Sequence, residues 1–387
     1  MQLESALIRN YRALADVELD LRPINVFFGP NAAGKSSFFD VLWFIRDCAT
    51  HGVEKATADR DHGIGLLWDG DGSTDAFSIE LRTARVRYET RFQLQAGRID
   101  SKAGEFLVSP VSDRVLIRRS PGQSTAEFFH QRLDQMMEVQ LREPEKLALT
   151  RYLDFEEKTP REAYELDRLF RYLRFLDSRQ LDFNRLRRRG SEASHRTRLS
   201  SRASNLWSVL RNLHDRRSLD ARFDTIQAYM RKAFPKFKDL FLEQTGTSVV
   251  IGHFVEKKRG RPIKASGVSD GFLQLLLLLT SLFSEDQTQP GLVMFDEPEA
   301  SLHPHAMAVL ANAIEEAAST WQKQVLLATH SPVLMSQFAP EQVTLVEPDE
   351  QGAAAFRRVS DIEEIQDLVQ EYALGALFMA EAVGKQG

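Results

Sequence analysis

A chain of 387 residues that is 43% hydrophobic and 27% charged has the composition of an ordinary globular protein, long enough for a large core and for two domains. Its formal net charge of −5 excludes a global basic field, so a nucleic-acid partner would need a local basic patch. The single cysteine, Cys48, excludes an internal disulfide. The N-terminus shows no charged-then-apolar leader, and the longest apolar run, 272–279 with Gln274 inside it, is too short to cross a bilayer; a cytoplasmic protein is expected.

The first residues predict a strand pair, because 3–8 and 14–21 alternate roughly between apolar and polar around Asn10-Tyr11-Arg12. The apolar run 24–28 predicts a buried strand. It leads into Gly29-Pro30-Asn31-Ala32-Ala33-Gly34-Lys35-Ser36-Ser37, which fits G-x-x-x-x-G-K-[ST], and a helical pattern over 37–46 follows. In that setting the backbone N–H groups of the loop and helix start converge on an anion-binding concavity. Lys35 adds a point charge for the β- and γ-phosphates, and the Ser36 hydroxyl can ligate Mg²⁺.

From 63 to 117 short alternating stretches, 77–81 and 88–94 among them, predict antiparallel strands, with a turn at Gly70-Asp71-Gly72-Ser73. Residues 125–240 read as mostly helical. One start is marked by Thr159-Pro160-Arg161-Glu162, a capping box with Thr at N-cap and Pro at N1. Strands return over 247–269, with a hairpin turn at 257–262. Then come a helix over 271–283, an apolar strand over 291–295, a helix over 306–321 and a strand over 324–328. This order predicts parallel crossovers. The tail predicts a hairpin over 343–359 and a last helix opened by the capping box Ser360-Asp361-Ile362-Glu363.

Three further stretches carry chemistry. Asp296 closes the buried strand 292–295, where open α/β sheets bind ligands; it can order Mg²⁺, and Glu297 can accept a proton from an attacking water. After the next strand, His330 in Thr329-His330-Ser331-Pro332 can bond a γ-phosphate or fix the water; the same turn also reads as a helix entry with Ser331 as N-cap. Ser269-Asp270-Gly271 opens the apolar helix as a second anion site. Asp270 is awkward there, since its charge opposes a phosphate, and it reads equally as an N-cap. A basic stretch contains Arg185, Arg187, Arg188, Arg189, Arg196, Arg198 and Arg202 with Glu192 as its only acid. It reads either as a DNA-steering patch or as a solvated loop paired with the acids at 154–167.

Taken in order, Asn10-Tyr11-Arg12, Gly29 to Ser36, Ser204-Asn205-Leu206, Ser269-Asp270-Gly271, Phe295 to Pro304, Thr329 to Pro332 and Leu374-Gly375-Ala376-Leu377 resemble the ABC/SMC-like ATPases of RecF and OLD type. The nearest likeness is the stand-alone bacterial group filed as AAA family ATPases. The resemblance covers almost the whole chain. It implies an α/β fold: an ABC/SMC-type head, with a P-loop mixed sheet, flanking helices and an antiparallel β subdomain, plus a helical insertion. Residues 1–120 and 246–387 would form the head and 121–245 the insertion.

It also implies a homodimer that sandwiches two ATP molecules with Mg²⁺. The nucleotide would lie between Gly29 to Ser37 of one copy and Ser269 and Gly271 of the other. Ser36 and Asp296 would hold the metal, with Lys35, Glu297 as catalytic base and His330 as γ-phosphate sensor. Ser301-Leu302-His303-Pro304 would be a dimer-contacting loop, and Arg12 would touch nucleotide. Two departures stand out. The glutamine that such heads place beside the metal is unassigned, with Gln93 and Gln95 as candidates, and the signature reads Ser-Asp-Gly rather than Ser-Gly-Gly. The stretch after His330 lacks the Glu and Asp-x-Asp of an appended Toprim nuclease. The expected function is a slow ATPase acting as a switch on DNA or a partner effector, in DNA maintenance or phage defence. The alternative is an ATP-loaded, non-enzymatic scaffold for a separately encoded nuclease or toxin. The long insertion and the Ser-Asp-Gly signature speak against a transporter ATPase.

Overall fold

The computed structural model describes residues 2–60, 63, 65–68, 76–95, 97–156, 160–246, 248–258, 260–285, 291–363 and 375. Its centre is a six-stranded sheet in the order Arg174–Asp177, Leu292–Asp296, Gln324–Thr329, Ile24–Phe28, Val343–Pro348, Ala354–Arg358. The first five strands are parallel and the last is antiparallel. Ile24–Phe28, Leu292–Asp296 and Gln324–Thr329 are buried along their whole length. A sheet covered on both faces demands such largely apolar runs.

Alternate residues serve opposite faces. Phe27 packs with Phe38, Phe39 and Met294 beneath the helix Lys35–His51, whereas Val26, Phe28 and Phe295 join the core under the helices Asp270–Phe283 and Pro304–Ser319. Gln324 ties the chain's start to this sheet. Its Oε1 accepts the Leu3 N–H at 2.9 Å, and its Nε2 donates to the carbonyls of Leu3 at 2.7 Å and Arg22 at 3.0 Å.

A nine-stranded antiparallel sheet runs in the order Gln135–Gln140, Thr125–His130, Arg114–Arg119, Gly104–Ser109, Val86–Gln95, Ala76–Thr83, Ser5–Tyr11, Leu14–Asp20, with Arg98–Ile99 paired to Val86–Gln95. A four-stranded sheet joins Ser191–Glu192, Val249–Glu256, Phe237–Thr245 and Ile263–Lys264.

The opening strand pair, the central βαβ order and the tail hairpin follow the sequence reading. The stretch 125–240 does not. Thr125–His130 and Gln135–Gln140 are a hairpin that extends the antiparallel sheet, Phe237–Thr245 is a strand, and Arg174–Asp177 belongs to the central sheet. Beside its helices, the segment 121–245 therefore contributes strands to all three sheets. The helix Arg161–Tyr172 has Pro160 at the N-cap rather than N1, and Glu162 accepts from the Ser109 hydroxyl at 3.0 Å instead of closing a capping box. Thr159, the turn at 70–73 and Leu374, Ala376 and Leu377 lie outside the described residues, as does the last helix beyond Glu363.

Candidate nucleotide site

The phosphate loop is set by what lies behind it. A Cβ on Gly29 would come within 2.0 Å of the Val346 carbonyl oxygen. Gly34 has a φ of +105°, and a Cβ there would sit 2.4 Å from that of Ala354. Both glycines are required by the hairpin packed against them. The helix that follows, Lys35–His51, has no side-chain cap at Gly34 and no acid in its first turn. Its leading N–H groups and positive dipole end stay available to an anion. Asn31 and Ala32 are exposed, Pro30 and Ser37 half-buried and Ala33 buried. The buried Lys35 amine donates to the carbonyls of Gly29 at 2.7 Å and Pro30 at 2.6 Å. Burial pulls it below its ordinary value against the pull of Asp296, Glu297 and Glu299.

The parallel register brings Asp296 level with Asp177 on one side and Ala328 on the other. The Ser36 hydroxyl donates to Asp296 Oδ2 at 2.8 Å, joining two motifs 260 positions apart. Arg179 donates to the same oxygen at 3.1 Å and to Asp177 Oδ1 at 3.1 Å. Burial raises the Asp296 carboxyl, opposed by the Ser36 hydrogen bond and Arg179. A hydroxyl and a carboxylate at hydrogen-bond distance, both at the mouth of an uncapped helix, are a donor set that suits Mg²⁺ and a polyphosphate.

Glu297 follows with a φ of +50°, a left-handed setting that costs free energy in a non-glycine residue. Its backbone N–H bonds the Ala328 carbonyl at 2.9 Å. His330 Nδ1 lies 3.9 Å from Glu297 Oε1 and 3.6 Å from Glu299 Oε1, with its ring half exposed. Ser331 caps the short helix Pro332–Met335 by accepting from the Leu334 N–H at 3.3 Å. The helix-entry reading and the placement of His330 beside the acids therefore hold together. Glu299, to which the sequence reading gave no role, is buried and accepts from the Thr329 hydroxyl at 2.5 Å and the His330 N–H at 3.1 Å. It fixes the turn that carries His330.

Gln93 and Gln95 lie in the strand Val86–Gln95 of the antiparallel sheet, exposed and remote in topology from Asp296. The residue that topology brings to the metal side is Gln180. It closes a one-turn 3-10 helix directly after Arg174–Asp177 and donates to Asp177 Oδ2 at 2.9 Å. The only sequence signal was a polar Asp-Ser-Arg-Gln after a two-residue apolar run, too short to read as a strand.

At the signature, Ser269 is the N-cap of Asp270–Phe283 and accepts from the Phe272 N–H at 3.3 Å. Asp270 is not the cap. It pairs with Arg187 at 2.6 Å, which answers its negative charge, and Arg187 also donates to the Val268 carbonyl at 2.9 Å. A Cβ on Gly271 would lie 2.2 Å from the Ser301 carbonyl oxygen. The loop after the acidic strand therefore touches the signature helix. Of the basic stretch, Arg187 is committed to Asp270, and Arg198 to Glu285 at 2.7 Å and to the Tyr172 ring at 3.9 Å. Neither is a free phosphate ligand. Arg185, Arg188, Arg189 and Arg196 are exposed. Arg12 pairs with Asp40 of the phosphate-loop helix at 3.2 Å, and Asp40 also accepts from Tyr11 at 2.6 Å and Arg60 at 3.0 Å.

A phosphate loop at the head of a helix, an acidic strand end facing it across a mixed sheet, and a flanking antiparallel sheet define an ABC/SMC-like P-loop ATPase. The chain belongs to the family described as "AAA domain, putative AbiEii toxin, Type IV TA system", whose model matches residues 24–336. Its fold is similar to a solved SMC head bound to the C-winged helix domain of ScpA, with a TM-score of 0.54, 14% identity and coverage of 93% of this chain and 99% of that one. It is also similar to an SMC head with an extended coiled coil bound to the C-terminal domain of ScpA from Pyrococcus furiosus, with a TM-score of 0.52, 13% identity and coverage of 95% and 99%. DNA replication and repair protein RecF from Listeria welshimeri and from Listeria monocytogenes is 33% identical over 70 residues, which are 18% of this chain and 17% of those proteins. The chain thus matches under a fifth of the length of these relatives. Among the described residues, no helix is long and apolar enough to cross a membrane.

Proposed function

We propose that the protein binds ATP with Mg²⁺ and hydrolyses it slowly in a homodimer built around two nucleotides. It would use this cycle in the cytoplasm as a switch on DNA or a partner effector, in DNA maintenance or phage defence. The observation that carries this reading is the 2.8 Å bond from Ser36 to Asp296, which places phosphate loop and acidic strand end at one point. In this reading Gly29 to Ser37 cradle the phosphates and Lys35 neutralises them. Ser36 and Asp296 hold the metal, which would offset charge on the phosphate oxygens. Glu297 takes the proton of the attacking water and His330 contacts the γ-phosphate; Gln180 and Arg12 approach the nucleotide from the flanks. Ser269 and Gly271 would meet the nucleotide of the second copy. Four arginines, Arg185, Arg188, Arg189 and Arg196, remain as DNA ligands. The head would consist of 1–120 and 246–387 together with Arg174–Asp177.

The test is Glu297→Gln in light scattering. The variant is expected to double in mass with ATP and stay doubled, while the wild type returns to monomer as ATP is consumed. Both proteins remaining monomeric with ATP would exclude the sandwich. A second reading, an ATP-loaded scaffold controlling a separately encoded toxin or nuclease, draws support from the toxin–antitoxin wording of the family. It requires ATP binding without measurable phosphate release by the wild type.

A further inference from the structure

A second polar cavity, of about 510 Å³, lies between the phosphate-loop helix, the edge strand Arg174–Asp177 and the segment 195–205. That volume falls in the range of small-molecule sites, roughly 300–1,000 Å³. Among the described residues, neither the phosphate loop nor Asp296, Glu297 or His330 lines it.

Its wall carries five guanidinium groups, those of Arg46, Arg171, Arg174, Arg196 and Arg198, and no carboxylate. The acids sit behind the wall. Asp47 meets Arg46 at 2.7 Å and Asp167 meets Arg171 at 2.6 Å, while Glu285 is shared by Arg174 and Arg198, each at 2.7 Å, and by Lys323 at 3.6 Å. The cavity therefore faces more positive than negative charge, in a concave wall that concentrates anions. Burial and the neighbouring Arg198 and Arg46 pull Arg174 below its ordinary value even beside Glu285, as crowded cations require. One guanidinium is placed in advance, that of Arg46 over the Trp43 ring at 4.3 Å. Planar, pre-oriented guanidinium is suited to bidentate phosphate recognition.

Two polar atoms at this wall have no partner among the described residues: Arg46 Nε and Ser281 Oγ, the serine being 5% exposed. Buried donors are normally satisfied, so one arginine Nε and one hydroxyl without partners beside a cation-rich cavity favour an acceptor-rich ligand.

We propose that this cavity binds a phosphate monoester, separately from the ATP site. A terminal phosphate carries up to two charges and three acceptor oxygens, which matches the excess of cations over carboxylates around the cavity and the two unpartnered donors. Free nucleotides and the 5′-phosphorylated end of a nucleic-acid strand share this chemistry.

The test uses the full chain carrying Lys35→Ala to weaken the phosphate loop, with Trp43 fluorescence and calorimetry as readouts. The probes are inorganic phosphate, AMP, and one short single strand with either a 5′-phosphate or a 5′-hydroxyl. Saturable binding of the monoesters is expected, weakened at least fivefold by Arg171→Ala and by Ser281→Ala, with no change in the ATP binding of the chain that retains Lys35. Should either variant fail to fold, Arg46→Lys, which keeps the charge and removes the open Nε, is expected to give the same loss. Tighter binding of AMP points to a free nucleotide and tighter binding of the phosphorylated strand to a strand end; either supports the site. Absence of saturable binding, unchanged affinity in the variants, or equal binding of the 5′-hydroxyl strand would overturn it.

Discussion

Glu299 shows how much of the site depends on a residue that need never touch ligand. One carboxylate oxygen accepts from both the Thr329 hydroxyl and the His330 backbone N–H, so the position of His330 relative to Glu297 is set from below. Glu299→Ala would leave two buried donors open, and an orphaned buried donor costs about 1–3 kcal/mol. We expect a fall in urea stability of that size together with slower ATP turnover. Glu299→Gln keeps the accepting oxygen and should restore most of both. Equal stability of the alanine variant would show that the turn holds without this anchor. Glu297 is the complementary case. Its φ of +50° is strain retained at the position proposed to take a proton, and loss of its carboxylate should act on turnover rather than on folding.

Among the elements, the signature helix and the loop after the acidic strand meet closely at Gly271. Alanine in place of a helical glycine ordinarily stabilises by about 1 kcal/mol. At Gly271 the new Cβ would instead meet the Ser301 carbonyl oxygen at 2.2 Å, with Ser301 itself at a φ of +65°. Gly271→Ala should therefore destabilise by roughly 1–3 kcal/mol, read as a lower urea midpoint, and should abolish the ATP-dependent doubling of mass. A midpoint raised above wild type would mean that the loop yields freely. These elements also mark what local sequence can say. The phosphate loop, the strand before it and the acidic strand end were legible because each motif is contiguous and its strand is mostly apolar. Arg174–Asp177 was not, because four residues carry no period, and its partner Leu292–Asp296 lies more than a hundred positions away. Gln180 and Arg179 went unread with it. Thr125–His130 and Gln135–Gln140 fell within the stretch read as mostly helical; their pairing with each other and with Arg114–Arg119 decided otherwise.

Across the whole molecule, charge is distributed so that an acidic protein keeps local positive surfaces. Arg188 and Arg189 are exposed at the end of the helix Phe183–Arg189, whereas Arg187 in the same run holds Asp270 at the signature. If this surface meets DNA, Arg188→Ala with Arg189→Ala should weaken binding to all sequences alike and flatten the log–log salt dependence by about two units. Dimerisation with ATP should be untouched, and an unchanged salt slope would remove this surface from DNA binding. The order of strands in the central sheet also bears on how the molecule is made. Ile24–Phe28, which ends at the phosphate loop, has Gln324–Thr329 and Val343–Pro348 as its two neighbours. Both leave the ribosome some three hundred residues later, which at about 5–20 residues per second is a delay of roughly 15–60 s. A nascent chain therefore carries its phosphate-binding segment without the strands that shape it, and nucleotide can reward folding only once Val343–Pro348 has been made.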